Sequence, residues 1–344
     1  MPESEKEPVS SPLPETALPA AMSASDAPVK VTGRRRVVVP SLWRWFAALI
    51  ILGLLTACIA SSLAGSWART IRLDGQPPAS LPVTTLPVGR TAPYAGLAMT
   101  VVSAQYALSF PDDAIRPGPA TVRLNMRVTN QSGDHIKLVY YDCARLLVPS
   151  MQPVAPTNVS LSAGPQPGKS ESGWLDFAVP RDLRLDTLTL QLGNVTLNES
   201  PVKIPFGGSF DGGGYADQKV VQDLLFPYTF RGFVLNYHLT GVEVRYAYHG
   251  VQARAGQRYY VLNFVVDNAG GADVGPGRGF DYVRLVVNGY AQPPIDSSLP
   301  ETFKAGASGV KGSVVFSAPA GMKNLTVGFL YQLAPGMRTF EVKL

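Results

Sequence analysis

The chain of 344 residues holds 33 glycines and 30 prolines, and only 16% of it is charged, against about 25% in an average domain. With 46% apolar residues this balance excludes both a coiled coil and a wholly disordered chain. Two cysteines exclude a disulfide framework and a four-thiolate zinc site, and the three histidines (His135, His238, His249) leave little material for metal or acid–base chemistry.

Residues 1–40 lack Tyr, Phe and Trp and are rich in Pro, Ser, Ala and Glu. Such a stretch buries too little apolar surface to offset ordering entropy, so a disordered tail is expected. From Phe46 to Trp67 run 22 residues without a charge. As a helix they would span about 33 Å, enough for the hydrocarbon core of a bilayer. Trp43, Trp45 and Trp67 flank the run, with five cations (Lys30, Arg34, Arg35, Arg36, Arg44) before it and Arg69 and Arg72 after it. The sequence therefore predicts a single membrane span over 43–67, with the N-terminus cytoplasmic and the rest of the chain outside.

Two alternatives share that export. Leu55-Thr56-Ala57-Cys58 resembles a bacterial lipobox, which would make Cys58 a lipidation site, and simple signal cleavage would free the ectodomain altogether. Residues 68–93 carry Pro77, Pro78, Pro82, Pro87 and Pro93, a density expected of a stiff, extended stalk.

From Tyr94 onward, short strands alternate with Gly, Pro, Asn and Asp turns. Val122, Leu124, Met126 and Val128 alternate with polar residues, as in a strand with one wet face. The region also repeats itself. Met99–Ala107 matches Leu239–Ala247 at an offset of 140, and Leu124, Val128 and Asn130 match Leu262, Val266 and Asn268 at 138. Arg145 and Leu146 match Arg284 and Leu285 at 139, as Phe177 matches Phe316, and Leu188 matches Leu325 at 137. Two copies follow, 94–205 and 230–344, joined by a connector at 206–229. Each has the size of an immunoglobulin-like sandwich, so the expected fold class is an all-β ectodomain of two tandem sandwiches. The usual bridging disulfide is absent, and Cys143 reads as a buried structural thiol, with a free surface thiol that pairs between chains as the alternative.

The strand ending in Val-x-Asn (Val128-Thr129-Asn130, Val266-Asp267-Asn268), the Pro167-Gly168 turn and the aromatic strand closing on Pro180 resemble the telokin-like, immunoglobulin-fold domains of bacterial surface proteins and lipoproteins. The resemblance covers both copies, although the second has Ala305-Gly306 in place of the Pro-Gly turn. It implies an exported, membrane-attached domain and supplies no catalytic residues.

No phosphate loop, zinc-protease or nucleophile-elbow motif occurs. Asp211 to Asp217, and Asp267, Asp273 and Asp281, could offer oxygens to calcium, but Asp and Gly also mark ordinary turns. Asn158, Asn194, Asn198 and Asn324 fit the glycosylation tripeptide. No catalytic residue, cofactor or metal is expected, and no basic stripe suggests nucleic acid. The expected role is binding or scaffolding at the cell surface, toward a protein or glycan. A sensor-like or secretion-linked accessory factor is the alternative, and an envelope hydrolase a more remote one.

One face carries a sharper expectation. Thr121, Arg123, Asn125 and Arg127 correspond to Tyr259, Val261, Asn263 and Val265. A strand face of the second kind should be covered, either by the first copy or by the connector with its Leu224-Leu225-Phe226 run. If left bare, Tyr259, Val261 and Val265 would be a partner-binding surface.

Overall fold

The computed structural model describes residues 82–112, 118–330 and 336–344, and residues 79–344 form one compact unit. The tail, the 43–67 segment and Cys58 lie outside the described residues. Among the described residues no helix is long and apolar enough to cross a membrane.

The described chain is all-β. In the first copy, β1 (Thr84–Tyr94), β2 (Leu97–Ala107), β3 (Ala120–Asn130), β5 (Asn158–Val159) and β6 (Ser170–Val179) make one antiparallel sheet, in the order β1-β2-β3-β6-β5. A second sheet orders β4 (Ala144–Leu147), β7 (Thr189–Leu192) and β8 (Val202–Pro205). Leu124, Val128 and Phe177 from one sheet and Leu146, Leu190 and Ile204 from the other meet in one core.

The second copy repeats this plan. Its larger sheet orders β16 (Asp296–Ser297), β17 (Val310–Pro319), β13 (Gln257–Asp267), β10 (Phe233–Arg245) and β9 (Gln218–Phe230). Its smaller sheet orders β15 (Tyr290–Gln292), β14 (Val283–Val287), β18 (Asn324–Leu330) and β19 (Met337–Lys343). One helical turn precedes β4 and β14 alike, at Tyr140–Cys143 and Gly279–Tyr282. The β10–β13 connection folds as a hairpin of β11 (Ala247–Tyr248) and β12 (Val251–Gln252).

Register refines the repeat. Met99 pairs with Val128 and Tyr237 with Val266, so β2 matches β10 at an offset of 138, not 140. Both strands bulge at the same place, between Val101 and Ser103 and between Leu239 and Gly241. A two-residue slip leaves every side chain on its face, so alternation alone does not reveal it. The Asn of each Val-x-Asn motif is buried and ties down the loop that follows. Asn130 donates to the carbonyls of Asp134 and Pro165, and Asn268 to those of Ala272, Phe303 and Lys304.

Two boundaries move. Residues 84–93, expected in the stalk, are strand β1. Among the described residues it pairs only with β2, so Pro87 and Pro93 sit on an edge where a missing N–H disrupts nothing further. Likewise the connector shrinks to 206–217, because residues 218–230 are β9. The Leu224-Leu225-Phe226 run alternates along that strand. Phe226 enters the core, whereas Leu225 points outward, 68% exposed.

The expected wet face of β3 is only partly wet. Arg127 is exposed, but Thr121 and Arg123 are buried. Arg123 donates bidentately to Asp176 at 2.7 and 2.9 Å and to Asp112 at 2.9 Å. Its guanidinium lies 4.1 Å from the ring centre of Phe110 and 4.7 Å from that of Trp174.

Candidate functional site: a polar cleft where the two copies meet

The hairpin β11–β12 turns on His249 and Gly250, both at positive φ (46° and 79°). Two such residues in a two-residue loop match the twist of the flanking strands. Gly250 also approaches Ile136 of the first copy closely, since an added Cβ would lie 3.2 Å from its side chain. The hairpin therefore reaches across to the first copy while its own strand partners stay in the second.

A seam of hydrogen bonds fixes it there. Gln252, only 2% exposed, accepts from the Ala95 amide at 3.0 Å and donates to the Ser200 carbonyl at 3.2 Å. Ser200 N–H donates to the Ala253 carbonyl and Ala255 N–H to the Asn198 carbonyl, each at 2.7 Å. Behind the seam the Tyr94 hydroxyl donates to Glu199 at 2.6 Å, and burial pushes that phenol well above its usual range. Beside it Cys143 is buried, as expected of a structural thiol, and its pKa is pushed up to about 12, mainly by burial. A thiol so placed is not a nucleophile at neutral pH.

The cleft in front of the seam has a volume of about 520 Å³ and is lined by both copies. Gln131, Ser132 and Asp134 face it from the first, and Arg245, Tyr246 and His249 from the second. His249 Nδ1 is 3.0 Å from Asp134 and its Nε2 is 3.7 Å from Asp296, so one imidazole spans carboxylates of both copies. The Tyr248 hydroxyl donates to Asp296 at 2.6 Å; burial first, then this bond, raises its pKa. Across the cleft Arg245 pairs with Glu243 and, at 3.9 Å, with Asp217. Burial raises the Asp217 carboxyl above its usual range. Tyr246 stacks under the Arg258 guanidinium at 3.4 Å and donates to the Gly214 carbonyl. Donors and acceptors thus face one another across a cavity of ligand-binding size.

The residues singled out in the sequence fall elsewhere. Tyr259 and Val261 are buried (9% and 5% exposed) against Val315, Ala253 and Tyr248, so the face is covered. Tyr248 of the β11–β12 hairpin and Ala253 just after it pack on the face, and Glu199 of the first copy lies close enough to Tyr259 to add to the rise in its pKa that burial causes. Val265 is half-buried and lines a shallow groove on the same sheet with Thr240, Asn263 and Lys311. The acidic turns use their own carboxylates. Asp211 caps the Gly213 amide, Asp273 pairs with Lys304, Asp267 takes Ser308 and Gly309, and Asp281 takes the Arg278 amide. Among the described residues no group of three His, Cys, Asp or Glu is placed to hold a metal ion. His238 meets Asp223 at 2.6 Å on an exposed strand face. Gln252 and Asp134 gave no signal in the sequence, because their roles depend on residues 157 and 115 positions away.

The chain matches no protein-family model. A comparison with curated proteins gives no match.

Proposed function

We propose that this chain is a binding or scaffolding protein of the bacterial cell surface. A span over residues 43–67 holds it in the membrane, and two immunoglobulin-like sandwiches of the telokin-like kind are presented outside. The observation that carries the reading is the junction, where a buried hydrogen-bonded seam fixes both copies around a polar cleft. A ligand touching Asp134 from one copy and Arg245 from the other would meet a preformed site, with little ordering to offset. The uncharged run Phe46–Trp67 and its five-to-two cation bias support the anchor and its orientation.

The experiment is an array of envelope glycan fragments and surface-derived peptides probed with the full chain in detergent. Hits are then titrated against Arg245→Ala and Asp134→Ala. Binding that both substitutions weaken supports the cleft. A panel of ligands indifferent to both, or turnover of a ligand in place of stable binding, overturns the reading.

A further inference from the structure

The two copies differ at one slot, between the free edges of their two sheets. Pairing register equates Thr91, Ala92 and Tyr94 of β1 with Leu225, Phe226 and Tyr228 of β9. It likewise equates Val202, Lys203 and Ile204 of β8 with Arg338, Thr339 and Phe340 of β19.

In the first copy the slot is closed by the chain itself. Arg90 donates to the carbonyls of Pro205, Gly207 and Gly208, and Phe210 lies over its guanidinium. The turn Gly212–Tyr215 then packs on β1 so closely that a Cβ at Gly212 would collide with the Thr91 carbonyl. The Tyr215 hydroxyl accepts from the Lys203 amide at 3.3 Å, and its ring packs against the first core. An aromatic side chain on a glycine turn, with Asp211 and Asp217 beside it, is therefore the occupant of the slot.

In the second copy the same slot holds a cavity among the described residues. Leu224 stands where Arg90 would be, and the two strands are joined instead by Gln222, which donates to the Lys343 carbonyl at 2.7 Å, and by Arg338, which reaches the Pro227 carbonyl at 3.5 Å. A cavity of about 210 Å³ lies between β9 and β19, walled by Phe226, Tyr228, Phe329 and Phe340. Phe226 stacks on Phe340 at 4.1 Å and meets Phe329 at 4.8 Å, so the walls are held by each other. The volume falls below the roughly 300–1,000 Å³ of drug-sized pockets, and suits a single aromatic side chain. At its rim the exposed Arg338 replaces the buried Val202. A cation at that point favours an acidic neighbour to the inserted ring.

We propose that the β9–β19 slot is a docking site for a partner polypeptide that inserts one Tyr or Phe side chain from a glycine-containing turn, with an acidic residue against Arg338. The site is separate from the interdomain cleft and does not depend on the cleft's ligand.

The probe is a synthetic peptide of this chain's own residues 209–217 (Ser-Phe-Asp-Gly-Gly-Gly-Tyr-Ala-Asp), added to the full chain in detergent and followed by fluorescence anisotropy of a labelled peptide. Saturable binding is expected, weakened at least about tenfold when the peptide's Phe and Tyr both become Ala. Arg338→Glu in the chain should weaken binding at least about fivefold, and a peptide with both Asp replaced by Lys should recover it. Thr339→Trp, which fills the mouth of the slot, should abolish binding. Arg338 and Thr339 are exposed, and circular dichroism checks that both variants fold. No saturable binding up to about 1 mM peptide overturns the proposal. So does binding that ignores the loss of both the Phe and the Tyr, or that survives both Arg338→Glu and Thr339→Trp, since the peptide would then be elsewhere.

Discussion

The buried pair Arg123–Asp176 offers the sharpest test of how the outer sheet faces are built. Asp176 is 1% exposed and accepts from Arg123 through both oxygens. Asp176→Ala leaves a guanidinium with Asp112, whose carboxylate is half exposed, and with the rings of Phe110 and Trp174. Breaking a buried pair from one side costs about 3–5 kcal/mol, and the remaining partners place this case near the lower end, about 3. The second copy shows the alternative solution, since its equivalent positions are Val261 and Val315. Arg123→Val with Asp176→Val should therefore fall within about 1 kcal/mol of the parent, because a well-packed apolar pair can replace a buried ion pair at little cost. The assay is urea unfolding of residues 79–344, where Trp174 is the sole tryptophan and reports on the first copy. At a typical slope of about 1–3 kcal/mol per molar, the single variant should lower the midpoint by about 1–3 M. A loss below about 1 kcal/mol would refute the claim that the pair is desolvated. A double variant as unstable as the single one would refute the equivalence of the two faces.

Further outcomes follow from the junction, the cores and the buried acids. Gln252→Ala strands the Ala95 amide and the Ser200 carbonyl, each at about 1–3 kcal/mol; limited proteolysis should then cut the 194–200 turn sooner, and unchanged protection would count against the seam. Leu262→Ala should cost about 2–5 kcal/mol as a fully buried truncation, read from thermal or urea unfolding. Alkali should destabilise the fold. The unfolded chain releases the Cys143 proton above about 9, whereas the folded chain keeps it until about 12. Over that window the folded state binds more protons, so stability present below about 9 falls as pH rises toward 12. Burial raises Tyr94, Tyr140, Tyr237 and Tyr282 in the same sense. Unfolding midpoints at pH 8 and 11 measure the loss, and equal midpoints would contradict it.

Much of the frame was legible because strands write their period into the sequence. The alternation of β3 and the repeat around Asn130 and Asn268 gave the core positions correctly, and Leu124, Val128, Leu262 and Val266 are all buried. What alternation cannot fix is register by even steps, and the 140 offset of β2 against β10 erred by two for that reason. Proline density misread β1 as stalk, since composition does not tell a free edge strand from an extended spacer. Arg123 looked solvated because its partners Asp176 and Trp174 come from a strand about 50 residues on. The cleft is drawn from four separate stretches, around residues 91–98, 131–136, 216–217 and 245–252, and no local pattern announces such an assembly.

The two copies also explain each other. Both keep the same sheet order, the same bulge and the same buried Asn, so the shared frame is the inner core. Their outer faces diverged according to what lies on them. In the first copy a charged strand face is closed by Asp176, Asp112 and two aromatic rings. In the second, the β10–β13 connection is a hairpin that rests on an apolar seat, and Tyr259, Val261 and Val315 supply it. That seat holds the hairpin from behind while Gln252 holds it to the first copy from the front. The apolar substitutions on β13 and the polar cleft are thus one device. Removing the seat, for example by Val261→Arg, should loosen the junction without touching any residue that faces the first copy.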